Sequence, residues 1–301
     1  MAQTCAMIAI LGGLGAAILW AAANLASARS SQIIGASSTL AWMTLVGLVV
    51  LVPAAALSGP VPPITPALAF WLSCSGLGGV IGLLFLYRGL RIGKVGAVLA
   101  LASTEGAAAA VVAVILGERL TIPVAVMLGV IAVGIAVVAM ATGEASEVAP
   151  AAPDDDAVRR APGSDRKAAL FGAAAAIAFG FSIFGTAEAG ISLPVAMAIM
   201  PARITGVALV FIPMALAGRL RISRRAVPLI VVVALGEVLG NVAYVLGARE
   251  SIAVAAVLAS QYAAVGAVAA FFLFRERLSG QQRAGVVAIA LGVAVLTAVR
   301  G

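Results

Sequence analysis

Apolar runs of about twenty residues recur along the chain, joined by short polar segments, and this pattern leaves few folds open. Backbone N–H and C=O groups in lipid must be satisfied within the spanning element, so only helices and closed barrels cross a bilayer. The runs here are too long for barrel strands and show no alternation of apolar and polar positions, which leaves helices. With 63% hydrophobic and 10% charged residues, a soluble domain of 301 residues could not keep its apolar surface from water. The expectation is an all-α polytopic membrane protein.

Breaks at charges, Pro and Gly define ten transmembrane helices: 7–27, 33–57, 66–87, 95–117, 122–142, 168–190, 194–217, 226–247, 251–274 and 281–299. Between the fifth and sixth lies "GEASEVAPAAPDDDAVRRAPGSDRK" (143–167), rich in charge, Pro and Ala, which reads as a solvated cytoplasmic linker. It separates a first five-helix unit, 1–142, from a second, 168–301.

The two units match at an offset of 158 residues. "GERL" (117–120) falls on "RERL" (275–278), so Glu118 meets Glu276 and Arg119 meets Arg277. Arg91 falls on Arg249, Gly78 on Gly236, Gly82 on Gly240 and Gly134 on Gly292. The third helix of each unit thus carries Gly-x-x-x-Gly, which lets a second backbone approach closely. An odd number of spans per unit makes the second enter the membrane upside down relative to the first. The expected architecture is two inverted five-helix repeats, a design used by secondary transporters.

Charge orients the chain. The joints after helices 1, 3, 5, 7 and 9, with the start of helix 10, carry fifteen Lys and Arg residues, against three on the opposite side. The positive-inside rule places the first side in the cytoplasm and both termini outside it, as in a bacterial inner (plasma) membrane protein. The same distribution explains the net charge of +7 and argues against nucleic acid, because the basic residues stand at helix ends without interleaved aromatics. Cys5 and Cys74 form neither a disulfide framework nor a metal-ligand spacing, and histidine is absent. "MAQTCAM" lacks a basic leader and reads as the start of the first helix. "GGLGAA" (12–17) opens no βαβ unit and is no nucleotide fingerprint, so no cofactor is expected.

At this point the sequence resembles a known family. "GERLT" and "RERLS" between the fourth and fifth helices of each unit, "AILWAAAN" (17–24), "MPARITGVAL" (200–209) and "ERLSGQQRAGVVAIALGVAVL" (276–296) resemble the EamA branch of the drug/metabolite transporter superfamily. The resemblance covers nearly the whole chain except the linker. It implies a ten-helix permease that exports small molecules, commonly amino acids or related metabolites, by alternating access without ATP. The chain departs from the family pattern in two places. A proline common in the fourth helix, thirteen residues before the Glu of the Glu-Arg pair, is Glu105 in the first unit and Ala263 in the second. The first-unit counterpart of Arg203, at an offset of 159, is Thr44.

Three ionisable residues fall near mid-depth: Glu105, Arg203 and Glu237. Each costs about 2.5–3.5 kcal/mol if it faces lipid, so they are expected to face the interior. Glu237, Gly240, Asn241 and Tyr244 follow an i, i+3, i+4, i+7 spacing and share one helix face. In helices 4 and 9 the repeat aligns Ser103 with Gln261 and Thr104 with Tyr262, so both units carry polar residues at one depth. Trp20 and Asn24, one turn apart, offer an aromatic wall and an amide. These eleven residues, without Gly240, are the candidate substrate-binding or coupling set.

Simpler roles compete. Arg203 can neutralise Glu105 or Glu237 as a structural pair, which would add little stability. Ser and Thr hydroxyls can bond their own helix backbone. Glu118, Arg119, Glu276 and Arg277 stand beside Thr121 and Ser279, which suit N-caps, and read as loop-fixing residues. As for chemistry, burial in low dielectric favours a neutral carboxyl unless a cation stands beside it. A proton on either glutamate would then be exchangeable as the cavity opens to one side, making protons the coupling ion. Arg203 would receive a substrate carboxylate and a glutamate its amine. The leading expectation is an exporter of small polar or amino-acid-like metabolites, and its rival an exporter of lipophilic cations. A non-transporting scaffold or lipid-acting protein is the third reading, against which stand the central charges and the lack of a catalytic constellation.

Overall fold

The computed structural model describes residues 2–92, 98, 101–145, 164–262, 264–266 and 268–269. The regular elements among those residues are helices, with no strand. The helices are α1 (Ala2–Ile34), α2 (Ala36–Ala56), α3 (Pro66–Ile92), α4 (Glu105–Ile115), α5 (Ile122–Ala145), α6 (Ser164–Ser192), α7 (from Val195 to Leu216), α8 (Val227–Ala248) and α9 (Ile252–Ala259). Six of them are long and apolar enough to cross a membrane. The expected tenth helix, Glu276, Arg277 and Gly292 lie outside the described residues, as does the middle of the linker, 146–163.

Several boundaries differ from the sequence expectation. The first helix does not end at 27 but runs to Ile34, because Ser and Gln are tolerated in a helix; the break comes at Gly35, whose φ of 87° suits glycine. The seventh span is not a uniform helix. Val195–Gly206 passes into a π turn at Val207–Phe211, where the Ile212 N–H bonds to the Val207 carbonyl five residues back. Pro213 lies just beyond; it has no N–H and its ring crowds the preceding turn, a recognised cause of such a bulge.

The fourth and ninth spans, expected as unbroken helices, are each interrupted by a turn. Ser103–Thr104 form a turn before α4, and Ser260–Gln261 form one after α9. In each break a hydroxyl takes the carbonyl three residues back: Thr104 Oγ1 donates to Leu101 at 2.7 Å and Ser260 Oγ to Val257 at 3.0 Å. Side chains thereby satisfy backbone groups that lipid could not. The two breaks face each other, since a Cβ on Gly106 would run into the Ala256 carbonyl and Ser260 Oγ.

Packing follows the small residues. α3 lies along α6 and α1 along α8, the two most extensive pairings among the described helices. In the first, a Cβ on Gly78 would meet the Ala178 carbonyl at 2.7 Å, and one on Gly82 the Phe179 ring at 2.5 Å. In the second, Gly236 lies against Leu19 and Ala23, and Gly240 against the Trp20 ring, also at 2.5 Å. Each Gly-x-x-x-Gly therefore seats an aromatic ring, Phe179 of α6 or Trp20 of α1. α2 crosses α7 where Arg203 lies on Gly47 and Thr44 on Gly206. α9 is buried at all eight positions, as suits a helix that is apolar all round, and α4 packs on it and on α6.

The loops close with backbone geometry that only glycine adopts easily. Gly117, at φ 106°, ends α4: its N–H bonds to Val114 and that of Glu118 to Ala113, at 3.1 and 2.9 Å. Gly218, at φ 64°, ends α7 with the same pair of bonds, to Ala215 and Met214.

Candidate functional site

Helices from both halves of the sequence wall a cavity of about 1050 Å³. α1 contributes Trp20, Asn24 and Ser27; α2, Thr44; α4, Glu105; α6, Phe179, Ser182 and Thr186; α7, Arg203; and α8, Glu237, Asn241 and Tyr244. Ser103 and Tyr262, from the two broken spans, complete the mid-depth wall. Nine of the eleven candidate residues thus line one space. Thr104 and Gln261 do not: the Thr104 hydroxyl is turned back on its own helix, and Gln261 is 3% exposed with Nε2 unpartnered. Neighbours in sequence point to different faces, so only one of each adjacent pair reaches the cavity.

Arg203 pairs with Glu237, Nη2 to Oε2 at 3.2 Å, with side chains 6% and 25% exposed. Its reach is set by Gly47, whose missing side chain leaves room for the Arg203 Cδ. Glu105 takes no part in that pair. It is 8% exposed, accepts a hydrogen bond from the Tyr262 hydroxyl and has no ion-pair partner among the described residues. The break before it makes Glu105 a first-turn residue of α4, where the unpaired N–H groups of a helix N-terminus favour a negative charge. The unusual residue and the unusual break therefore explain each other.

Aromatic rings flank this carboxylate. Trp20 lies 6.0 Å from Tyr244, tilted at 42°, and 6.2 Å from Tyr262, edge-on at 82°. Tyr244 is anchored by its hydroxyl to the Ile183 carbonyl at 3.2 Å. Asn241 donates to the Glu237 carbonyl at 2.7 Å, a bond within its own helix. Trp20 Nε1 and Arg203 Nε are buried donors without a partner among the described residues.

The cavity continues from this depth to Gln32, Gly35 and Ala36, where α1 joins α2, and to Tyr87 near the end of α3. The opposite end is closed. There Val245 sits on Gly190, and Arg249 donates to the Gly190 and Leu193 carbonyls at 2.8 and 3.1 Å, tying α8 to the end of α6. Glu118 holds the same end. It accepts from Ser251 Oγ at 2.5 Å and the Ala253 N–H at 3.1 Å, while Ser251 caps α9. Sequence reasoning gave Glu118 a loop role beside Thr121; the structure sends it across to the other unit.

Sequence reasoning missed Ser182 and Thr186, whose hydroxyls join Ser75 in a buried chain: Ser182 Oγ to the Ser75 carbonyl at 2.9 Å and Ser75 Oγ to Thr186 Oγ1 at 2.6 Å. Their i, i+4 spacing on α6, following Phe179, was the available signal.

Comparison with known proteins agrees with this architecture. A crystal structure described only as that of a protein matches with a TM-score of 0.70 at 18% identity, covering 97% of this chain and 96% of that chain. Such a likeness speaks to the fold alone. No curated protein matches the chain. The model of the EamA-like transporter family matches residues 7–140. That family consists of membrane transporters rather than enzymes, in keeping with the apolar helices among the described residues, which support an integral membrane protein. Over residues 7–140, just under half of its length, the chain is similar to the EamA-like transporter family.

Proposed function

We propose that this protein is a secondary active transporter that exports small polar or amino-acid-like metabolites by alternating access, with protons as the coupling ion. The reading takes the chain as ten helices in two inverted repeats. The pairing of helices supports it: α3 on α6 and α1 on α8 are the same contact once the units are exchanged, and so are α4 on α6 and α9 on α1. Both termini are placed outside the cytoplasm, so the open end of the cavity faces the cytoplasm, where an exporter loads.

One observation carries alternating access. At the closed end Val245 covers Gly190. Offsets of 158 and 159 residues give their counterparts as Tyr87 and Ser31, and both of these line the open end. Closing the cytoplasmic mouth would bring Tyr87 onto Ser31 as Val245 now lies on Gly190. Within the cavity, Arg203 suits a substrate carboxylate, while Glu105 and Glu237 suit an amine or a proton. Efflux of lipophilic cations is the second reading, favoured by the lack of a cationic partner for Glu105 among the described residues.

The test uses Ser31→Cys with Tyr87→Cys in a chain whose Cys5 and Cys74 are replaced by Ala. Oxidation in proteoliposomes should form the disulfide and stop pH-driven flux of radiolabelled amino acids, and reduction should restore it. Undiminished flux after complete cross-linking would refute the gate. Flux insensitive to the pH gradient, or retained in both Glu105→Gln and Glu237→Gln, would remove protons from the mechanism.

A further inference from the structure

We infer that the corner of the cavity around Glu105 is a cation subsite, whose ligand is an amine or quaternary ammonium group bearing apolar substituents. The inference rests on the transport reading and narrows it: the substrate must carry an ammonium, whereas a carboxylate is dispensable.

Charge is the first reason. Two carboxylates and one guanidinium face the cavity, and the guanidinium is already engaged by Glu237. Glu105 accepts from the neutral Tyr262 hydroxyl and has no ion-pair partner among the described residues. An anionic ligand entering this corner would meet the Glu105 carboxylate and, among the described residues, find the one cavity-facing cation, Arg203, already paired with Glu237.

Ring geometry is the second. Trp20, Tyr244 and Tyr262 stand at 42° and 82° to one another across Trp20, so they form walls rather than a stack. Aromatic faces carry negative potential and attract a cation placed within about 6 Å of the ring centroid. Trp20 is held by Gly240, Tyr244 by the Ile183 carbonyl and Tyr262 by Glu105 itself, so the walls are fixed before a ligand arrives.

Dryness is the third. Trp20 is 8% exposed and Tyr244 1%. A small metal ion would need several oxygen ligands to replace its water. This corner offers one carboxylate, and no metal-holding cluster exists among the described residues. A substituted ammonium needs no such oxygen shell, and its apolar groups suit the rings.

Calorimetric titration of the full-length protein in nanodiscs tests the subsite with benzyltrimethylammonium and 3-phenylpropionate as probes. The cation should bind wild type and the anion should not. Glu105→Gln should weaken cation binding by at least roughly tenfold and Trp20→Leu several-fold, whereas Trp42→Phe, outside the cavity, should leave it unchanged. Should Glu105→Gln fail to fold, Tyr262→Phe and Trp20→Leu read the same corner. Absence of cation binding, equal binding of the anion, or full affinity in folded Glu105→Gln would each overturn the subsite. The cross-linking assay separates the two readings: cation failure with intact, gated amino-acid flux removes only the subsite, and loss of gating removes alternating access.

Discussion

The Arg203–Glu237 pair predicts an asymmetry that a stability measurement can resolve. At 3.2 Å, two unit charges attract by about 5 kcal/mol at an effective dielectric of about 20 and by about 1.3 kcal/mol in water. Glu237 is a quarter exposed to the cavity, so its solvent screens the pair and the net value lies between those limits. The partners differ in what each would meet alone. Arg203 is 6% exposed, its Nε already lacks a partner, and its stem is seated on Gly47, so it cannot withdraw to water. Glu237→Ala should therefore cost about 3 kcal/mol, close to the insertion cost of an uncompensated central Arg. Arg203→Met leaves Glu237 facing a wet cavity and should cost about 1 kcal/mol or less. Arg203→Met with Glu237→Ala should recover most of the loss and cost about 1 kcal/mol, giving a coupling of about 3 kcal/mol. Equilibrium unfolding in mixed micelles measures all four species. The account is wrong if Arg203→Met is the more damaging change, or if the two substitutions are additive.

Other expectations follow from close contacts. Gly106→Ala should destabilise by about 1–3 kcal/mol, because the Ala256 backbone cannot yield, whereas Gly129→Ala, with nothing within 4 Å among the described residues, should be neutral or stabilising by up to about 1 kcal/mol. Equal effects in unfolding experiments would contradict the packing of the two broken spans. Gly82→Val and Gly240→Val should each cost about 1–3 kcal/mol and lower thermal stability similarly, since each displaces an aromatic ring; a large effect at one alone would argue against equivalent pairings. Glu118→Ala removes two hydrogen bonds at the start of α9 and should cost about 1–2 kcal/mol, with faster hydrogen exchange at Ala253 and Val254 as the local readout.

Much of the candidate site could be read in advance because its residues are conspicuous against an apolar background. Glu105, Arg203 and Glu237 are costly in lipid wherever they stand, so their inward placement needs no knowledge of neighbours. Thr104 and Gln261 lie off the cavity lining for a local reason: each adjoins a residue that does line it, and sequence cannot tell which side of a broken helix faces in. The breaks themselves carried no Gly or Pro signal. They are held by Thr104 and Ser260 hydroxyls and by the packing of one break on the other.

The sequence by itself determined that the chain lies in a membrane, that its elements are helices, and that Gly78, Gly82, Gly236 and Gly240 are places of close approach. These follow from transfer energy and side-chain volume, which act residue by residue. Only the tertiary structure decided that Arg203 takes Glu237 rather than Glu105, because that choice depends on the gap left by Gly47 on another helix. It also decided that Glu105 stands among Trp20, Tyr244 and Tyr262, residues brought together from three helices. Pairing across the bundle is a matter of distance between remote segments, and no local pattern in the chain encodes it.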